Sequence, residues 1–147
     1  MTDEQEVAGR LLRQEKVGVL ATVGDGQPLC SLMTFAVTED LQHIVLATSR
    51  ETAKFRHMEA NPRVSMLIDN RSDAGRDFTR TAAMTVMGRA REVTGQRREE
   101  LADVLLQKDP HLRDFVNSEG CAVVELAVES RHIIGGFQTG EESAHPV

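Results

Sequence analysis

The chain reads as an α+β domain built on a six-stranded antiparallel barrel with peripheral helices. Short β-rich runs recur along it, tight turns join them, and the helical patterns lie at the margins instead of alternating with strands. A doubly wound parallel sheet is disfavoured, because its strand–helix alternation and its Gly-rich phosphate loop are both missing.

Taken in order, Thr2 followed by Gln5 is a capping-box signal, and Val7, Leu11 and Leu12 form one apolar stripe, so residues 3–14 are expected to be a helix. Residues 17–23 (VGVLATV) form the first strand, and Gly24-Asp25-Gly26 supplies the positive φ angles of a hairpin. Residues 28–38 return as a strand with Leu32, Thr34 and Ala36 on one face and Met33, Phe35 and Val37 on the other. Both faces are largely apolar, so cover on both sides is expected. Residues 43–48 form a third strand. A helix over 52–60 stops before Asn61-Pro62, because the residue before proline resists the α region. Residues 63–69 form the fourth strand, and the polar, Gly-containing segment 70–80 reads as a mobile loop. Residues 81–93 form a long strand interrupted by Gly88, where a bulge or a close backbone approach is expected. Thr94 caps a helix over 94–107 carrying Leu101, Val104 and Leu105, and Asp109-Pro110 opens a short one over 110–116. Two strands, 121–128 and 132–137, close the barrel, and residues 138–147 read as a frayed polar tail.

At 147 residues the chain is expected to be a single domain spanning 1–147. Net charge is −6, with no Trp and no Tyr, which argues against a nucleic-acid partner. No apolar run approaches the roughly 20 residues of a membrane helix. The N-terminus reads as an acidic helix and not as a signal peptide. Cys30 and Cys121, without metal spacing, argue for buried thiols and a cytoplasmic location, with a disulfide between them left open.

The segment LATSRETAKFRHMEANPRVSMLI carries the most chemistry. Thr48, Ser49 and Thr52 offer hydroxyls, and Arg50 and Lys54 offer charge, where a helix begins. Free N–H groups and the positive end of the helix dipole welcome an anion there, and arginine grips two phosphate oxygens at once. A phosphate monoester suits such a cluster. The plainer alternative is a hydroxyl N-cap with two solvated basic side chains. There is no CxxC, HExxH, GxSxG elbow or Walker A loop. Cys30 has apolar neighbours and reads as an inert buried thiol. His43 and His57 read as surface residues. His132 reads either as a polar edge residue or as one within reach of a cofactor, beside Gly135-Gly136, which permits close backbone approach.

With these residues in hand, the chain resembles the pyridoxamine 5′-phosphate oxidase-related FMN-binding split barrels over about residues 17–137. The matching marks are VGVLATVGDGQPLCSLMTFAV, the segment quoted above, and MTVMGRAREVT. The resemblance implies a split barrel in which Thr48, Thr52 and Lys54 contact the flavin or its phosphate. It places Leu32, Met33 and Thr34 along the isoalloxazine ring, with Thr85 beside it. Ala53-Lys54 stands where the oxidase carries an Arg-Lys pair, which leaves Arg50 to supply the second charge, and Ala83 stands where a Gln meets the flavin. A narrower resemblance is to the haem-utilisation, HugZ-like branch, through Ser49-Arg50, Ser31-Leu32 and residues 134–137; His132 or His145 would be its haem ligand.

The expectation is an FMN-dependent oxidoreductase whose cofactor-binding residues are Leu32, Met33, Thr34, Thr48, Ser49, Arg50, Thr52, Lys54 and Thr85. A haem-handling protein or a non-catalytic flavin-binding protein is the alternative, and haem or a deazaflavin is the alternative to FMN. A homodimer with the flavin at its interface is expected as well. Strands 28–38 and 81–93 are apolar on both faces, and Met33, Phe35, Met84, Val86 and Met87 are the candidates for the face a second copy would cover. Cover by the helices 94–107 and 110–116 within one chain is the competing arrangement.

Overall fold

The computed structural model describes residues 3–71 and 81–135, and the backbone of 142–146. Strand β1 (Val17–Gly24) turns Gly18, Leu20 and Thr22 inward and leaves the residues between them less buried. Asp25 and Gly26, at φ 51° and 77°, make the two-residue turn into β2 (Gln27–Thr34). The strand expected over 28–38 breaks at Phe35 and resumes as β3 (Ala36–Val37). The Phe35 N–H donates to the Lys16 carbonyl at 3.2 Å, and its ring is buried beneath the Lys108 ammonium, 4.0 Å from the centroid. The remaining strands are β4 (His43–Ser49), β5 (Arg63–Asp69), β6 (Ala82–Val93) and β7 (Cys121–Gly135). They hydrogen-bond in the order β2-β1-β5-β6-β7-β4-β3, every neighbour antiparallel. β2 and β3 follow each other in the chain yet hold opposite ends of the sheet. The sheet is thereby curled into a split barrel, its opening between β2 and β4.

Two expectations about the strands change. The separate strands expected over 121–128 and 132–137 are one strand, because β7 stays paired to β6 on both sides of Glu129, where the register slips at Met87/Gly88. Part of the expected frayed tail, Glu142–Pro146, is β8, which pairs with β7. The main path holds seven strands where a six-stranded barrel is expected, with β8 beside them. Thr2 and residues 72–80, 136–141 and 147 lie outside the described residues, and with them the first capping box, most of the expected loop, Gly136 and Phe137.

Helix α1 (Asp3–Gln14) has Asp3, Glu4 and Glu6 in its first turn, where acids complement the dipole, and buries Ala8, Leu11 and Leu12. Helix α2 (Ala53–Ala60) buries Phe55 and Met58. Helix α3 (Gly95–Lys108) buries Leu101, Ala102 and Leu105; Thr94 holds its N-cap position, but its side chain makes no capping bond. A 3₁₀ turn (Pro110–Leu112), capped by Asp109, leads into α4 (Arg113–Val116). Lys108 ties α3 to α1 by donating to the carbonyls of Leu12 and Glu15, and burial pushes its ammonium down to about 8.

Two apolar cores result. One fills the barrel and meets α1 and α2; the other lies between α3, α4 and the backs of β3, β4 and β7. Met33, Phe35, Met84 and Val86 belong to the barrel core, so they do not form the face expected for a second copy. The strand twist turns them inward, and only Met87 is left partly exposed. Helices α3 and α4 cover the other side of β3, β4 and β7, not the face expected in either arrangement.

Glu125 is a carboxylate almost fully buried in the otherwise apolar first half of β7, residues 121–128. It accepts from Arg97 at 2.9 Å and Arg91 at 3.2 Å, and His43 Nε2 lies 3.3 Å away. The Arg97 guanidinium, helped by His43 and Arg91, holds its carboxyl below the ordinary 4.5. A folded-state value below the unfolded one contributes stability that is present above about pH 4.5 and is lost as pH falls through the folded value. The Tm of Glu125→Gln should therefore lie below wild type near neutrality and approach it in acid. A gap that stays constant with pH would show that the charge is not what Glu125 contributes.

Candidate functional site

The phosphate-type cluster forms where β4 runs into α2. Ile44 and Leu46 face the barrel core, and Thr48, 3% exposed, continues that row. Thr52 caps α2: its hydroxyl donates to the Ser49 carbonyl at 2.8 Å and accepts the Phe55 N–H at 3.3 Å. A hydroxyl has one proton, so in the 3.1 Å pair with Thr48 the Thr48 hydroxyl is the donor. Ser49 Oγ accepts the Glu51 N–H at 3.2 Å. The N–H groups of Ala53 and Lys54 have no intrahelical acceptor. Lys54 is half-buried and makes no ion pair among the described residues.

Arg50 is placed differently from the expectation that it supplies the second phosphate charge. Its Nε donates to Glu92 at 3.0 Å and its Nη1 to the Glu119 carbonyl at 3.0 Å, and Glu92 raises its pKa further above the ordinary value. An incoming phosphate would have to displace Glu92. Glu92 and Arg50 are 42 positions apart, and only the pairing of β6, β7 and β4 brings them together.

The ring-side residues lie on the outer face of the sheet. Leu32, Val19, Leu67, Thr85 and His132 are successive register partners across β2, β1, β5, β6 and β7. Leu32 is 70% exposed, Val17 45% and Leu67 39%, an apolar patch of a kind seldom left bare. A hollow of about 80 Å³ lies within it, lined by Val17, Val19, Leu32 and Leu67 among others. Met33, between Leu32 and Thr34, points into the core instead. β2 is an end strand of the sheet, so backbone groups of Leu32 to Thr34 on its open edge are available to a ligand. Three strand spacings separate Leu32 from Thr85, roughly 14 Å. One chain therefore brings Leu32 and Thr34 to the barrel opening beside β4 but leaves Thr85 and His132 farther along the sheet.

Other sequence readings are corrected. Cys30 is exposed on β2 rather than buried, and both cysteines are free; only Cys121 is buried, which raises its pKa. His43 and His57 are half-buried rather than superficial: His43 faces Glu125, and His57 Nδ1 lies 3.1 Å from Thr22 Oγ, fixing α2 to β1. His145 lies in β8 opposite Arg131. Among the described residues no three His, Cys, Asp or Glu side chains are grouped to hold a metal ion, and no helix is long and apolar enough to cross a membrane.

An antiparallel split barrel with a hydroxyl-rich helix start beside its opening defines the fold class. The family model for pyridoxamine 5′-phosphate oxidase matches residues 4–129, and the chain belongs to that family. Among solved structures, a haem-binding protein from Mycobacterium smegmatis superposes with a TM-score of 0.88 at 23% identity, over 99% of this chain and 59% of that one. Campylobacter jejuni ChuZ superposes with a TM-score of 0.80 at 16% identity, over 98% of this chain and 61% of ChuZ. A FAD-binding protein from Mesorhizobium loti gives 0.69 at 21% identity, over 90% of this chain and 94% of that one. This chain thus spans about three fifths of the first two proteins. A search of curated proteins finds no match.

Proposed function

We propose that this protein is an FMN-binding flavoprotein, an oxidoreductase acting on a small molecule, and that two copies complete each flavin site. The observation that carries this reading is the juxtaposition at the barrel opening. An α2 start whose Lys54 makes no ion pair among the described residues lies on one side, and the open β2 edge with exposed Leu32 on the other. Lys54, Ser49 and the α2 N-terminus hold the phosphate, with Thr48 and Thr52 shaping its seat. Backbone groups of Leu32 to Thr34 border the ring. Bound flavin supplies the electron chemistry, while the chain supplies binding, orientation and exclusion of water.

The partner copy enters for a physical reason. Thr85 and His132 are too far from the barrel opening of their own chain to join its site, and the patch of Val17, Leu32 and Leu67 needs cover. A second copy laid on that face meets both needs. Light scattering should give a mass of two chains at low micromolar concentration. A mass near 16.2 kDa with FMN still bound would refute the shared site. The cofactor itself is tested by the visible spectrum of the purified protein and by quenching of added FMN fluorescence. A colourless protein that quenches nothing removes the flavin reading, and a native mass spectrum separates FMN from a deazaflavin.

Haem handling is the second reading, favoured by His132 on the same outer face as Leu32 and Thr85. It requires a Soret shift with haemin that disappears in His132→Ala or His145→Ala.

A further inference from the structure

We propose a second, separate site that binds a small polyanion, a phosphate- or carboxylate-bearing molecule, between α1, the β3–β4 turn and β7. A cavity of about 600 Å³ lies there, within the range of small-molecule pockets. Arg10 and Arg13, three apart on α1, face it together with Arg131 of β7. None of the three side chains makes a hydrogen bond or an ion pair among the described residues, although the chain carries a net charge of −6. Most other arginines here are engaged: Arg50 with Glu92, Arg71 with Asp69, Arg91 and Arg97 with Glu125.

Arg131 makes the strongest case. Its Nε is buried and has no hydrogen-bond partner. A guanidinium can only donate, so a buried and unmatched N–H is a standing demand for an acceptor. Three guanidiniums around one cavity match an anion with several oxygens, because each fork grips two. Two carboxylates also line the cavity. Asp40 is already occupied, accepting from the Thr38 hydroxyl at 2.6 Å and the Gln42 N–H at 3.0 Å. Glu6 remains as an acceptor on the α1 side, so positive charge is in excess. Leu41 lines the same cavity at φ 64°, a left-handed conformation that bulky side chains avoid and that gathers at ligand sites.

The site is distinct from the flavin cluster. The cavity touches the residues just before β4 begins, and the cluster starts where β4 ends, so the length of that strand, roughly 20 Å, lies between them. The inference does not depend on the flavin reading.

Calorimetric titration of the full chain with inorganic pyrophosphate, and separately with citrate, tests it. One saturable event per chain is expected with at least one probe, and the preferred probe tells a phosphate ligand from a carboxylate one. Arg131→Gln and the more exposed Arg10→Gln should each weaken that event about tenfold or more, the scale of a lost charge-assisted bond. Lys54→Ala should leave it unchanged. FMN binding should be equal in wild type and Arg10→Gln. Neither probe saturating, or both arginine variants binding like wild type (an adventitious ion only), would overturn the site. So would loss of the event in Lys54→Ala, which would move the anion to the other cluster.

Discussion

Lys54→Ala is expected to weaken FMN binding by about 1.5–3 kcal/mol, roughly tenfold to a hundredfold. Lys54 makes no ion pair among the described residues, whereas the Arg50 guanidinium is held by Glu92. The loss should be confined to ligands with a phosphate: riboflavin should bind wild type and Lys54→Ala almost alike. Fluorescence titration of both ligands against both proteins reads this directly, and equal losses would show that Lys54 does not meet the phosphate. Thr52→Ala would give a blurred result by comparison, because Thr52 caps α2 as well as lining the cluster.

Gly88→Ala should destabilise the fold by about 3 kcal/mol or more, roughly 6–12 °C in Tm for a chain of this size. Gly88 sits where the β6–β7 register slips, and a Cβ there would press into the Ala127 carbonyl oxygen of the neighbouring strand. The obstacle is backbone, so no side-chain rotation relieves it. The strands would have to separate at the register slip. A Tm within about 2 °C of wild type would mean that the ladder re-registers at little cost.

The sequence conveyed the local devices well. The Asp25-Gly26 turn, the end of α2 at Asn61-Pro62 and the irregularity at Gly88 were each legible, because each is decided by one or two residues with restricted or permissive backbones. The break at Phe35 was not legible. Residues 28–38 alternate as a strand should, and the interruption comes from the Lys16 carbonyl, nineteen positions away. β8 was hidden for the opposite reason: a polar stretch becomes a strand only because the edge of β7 is there to receive it. At the candidate site, Thr48, Thr52 and Lys54 were found by composition beside a helix start. The capture of Arg50 by Glu92 and the buried charge of Glu125 depend on which strands pair. The same holds for Arg10, Arg13 and Arg131, which are scattered in the sequence and meet only in the fold.

The corner at Phe35 makes one run of backbone serve as both margins of the same sheet. β2 and β3 are separated by a single residue, yet β2 forms one side of the opening and β3 pairs with β4, which forms the other. The opening therefore cannot widen without pulling on that corner, and the corner is pinned by Lys16 and roofed by Lys108 from α3. Entry of a ligand beside Leu32 to Thr34 and loosening of the barrel are one mechanical event. A molecule seated there acts as a clasp, resisting unfolding by about 2.7 kcal/mol at a hundred times its Kd. Mutations at α3, far from the opening, then reach its margin through the tension of a single strand.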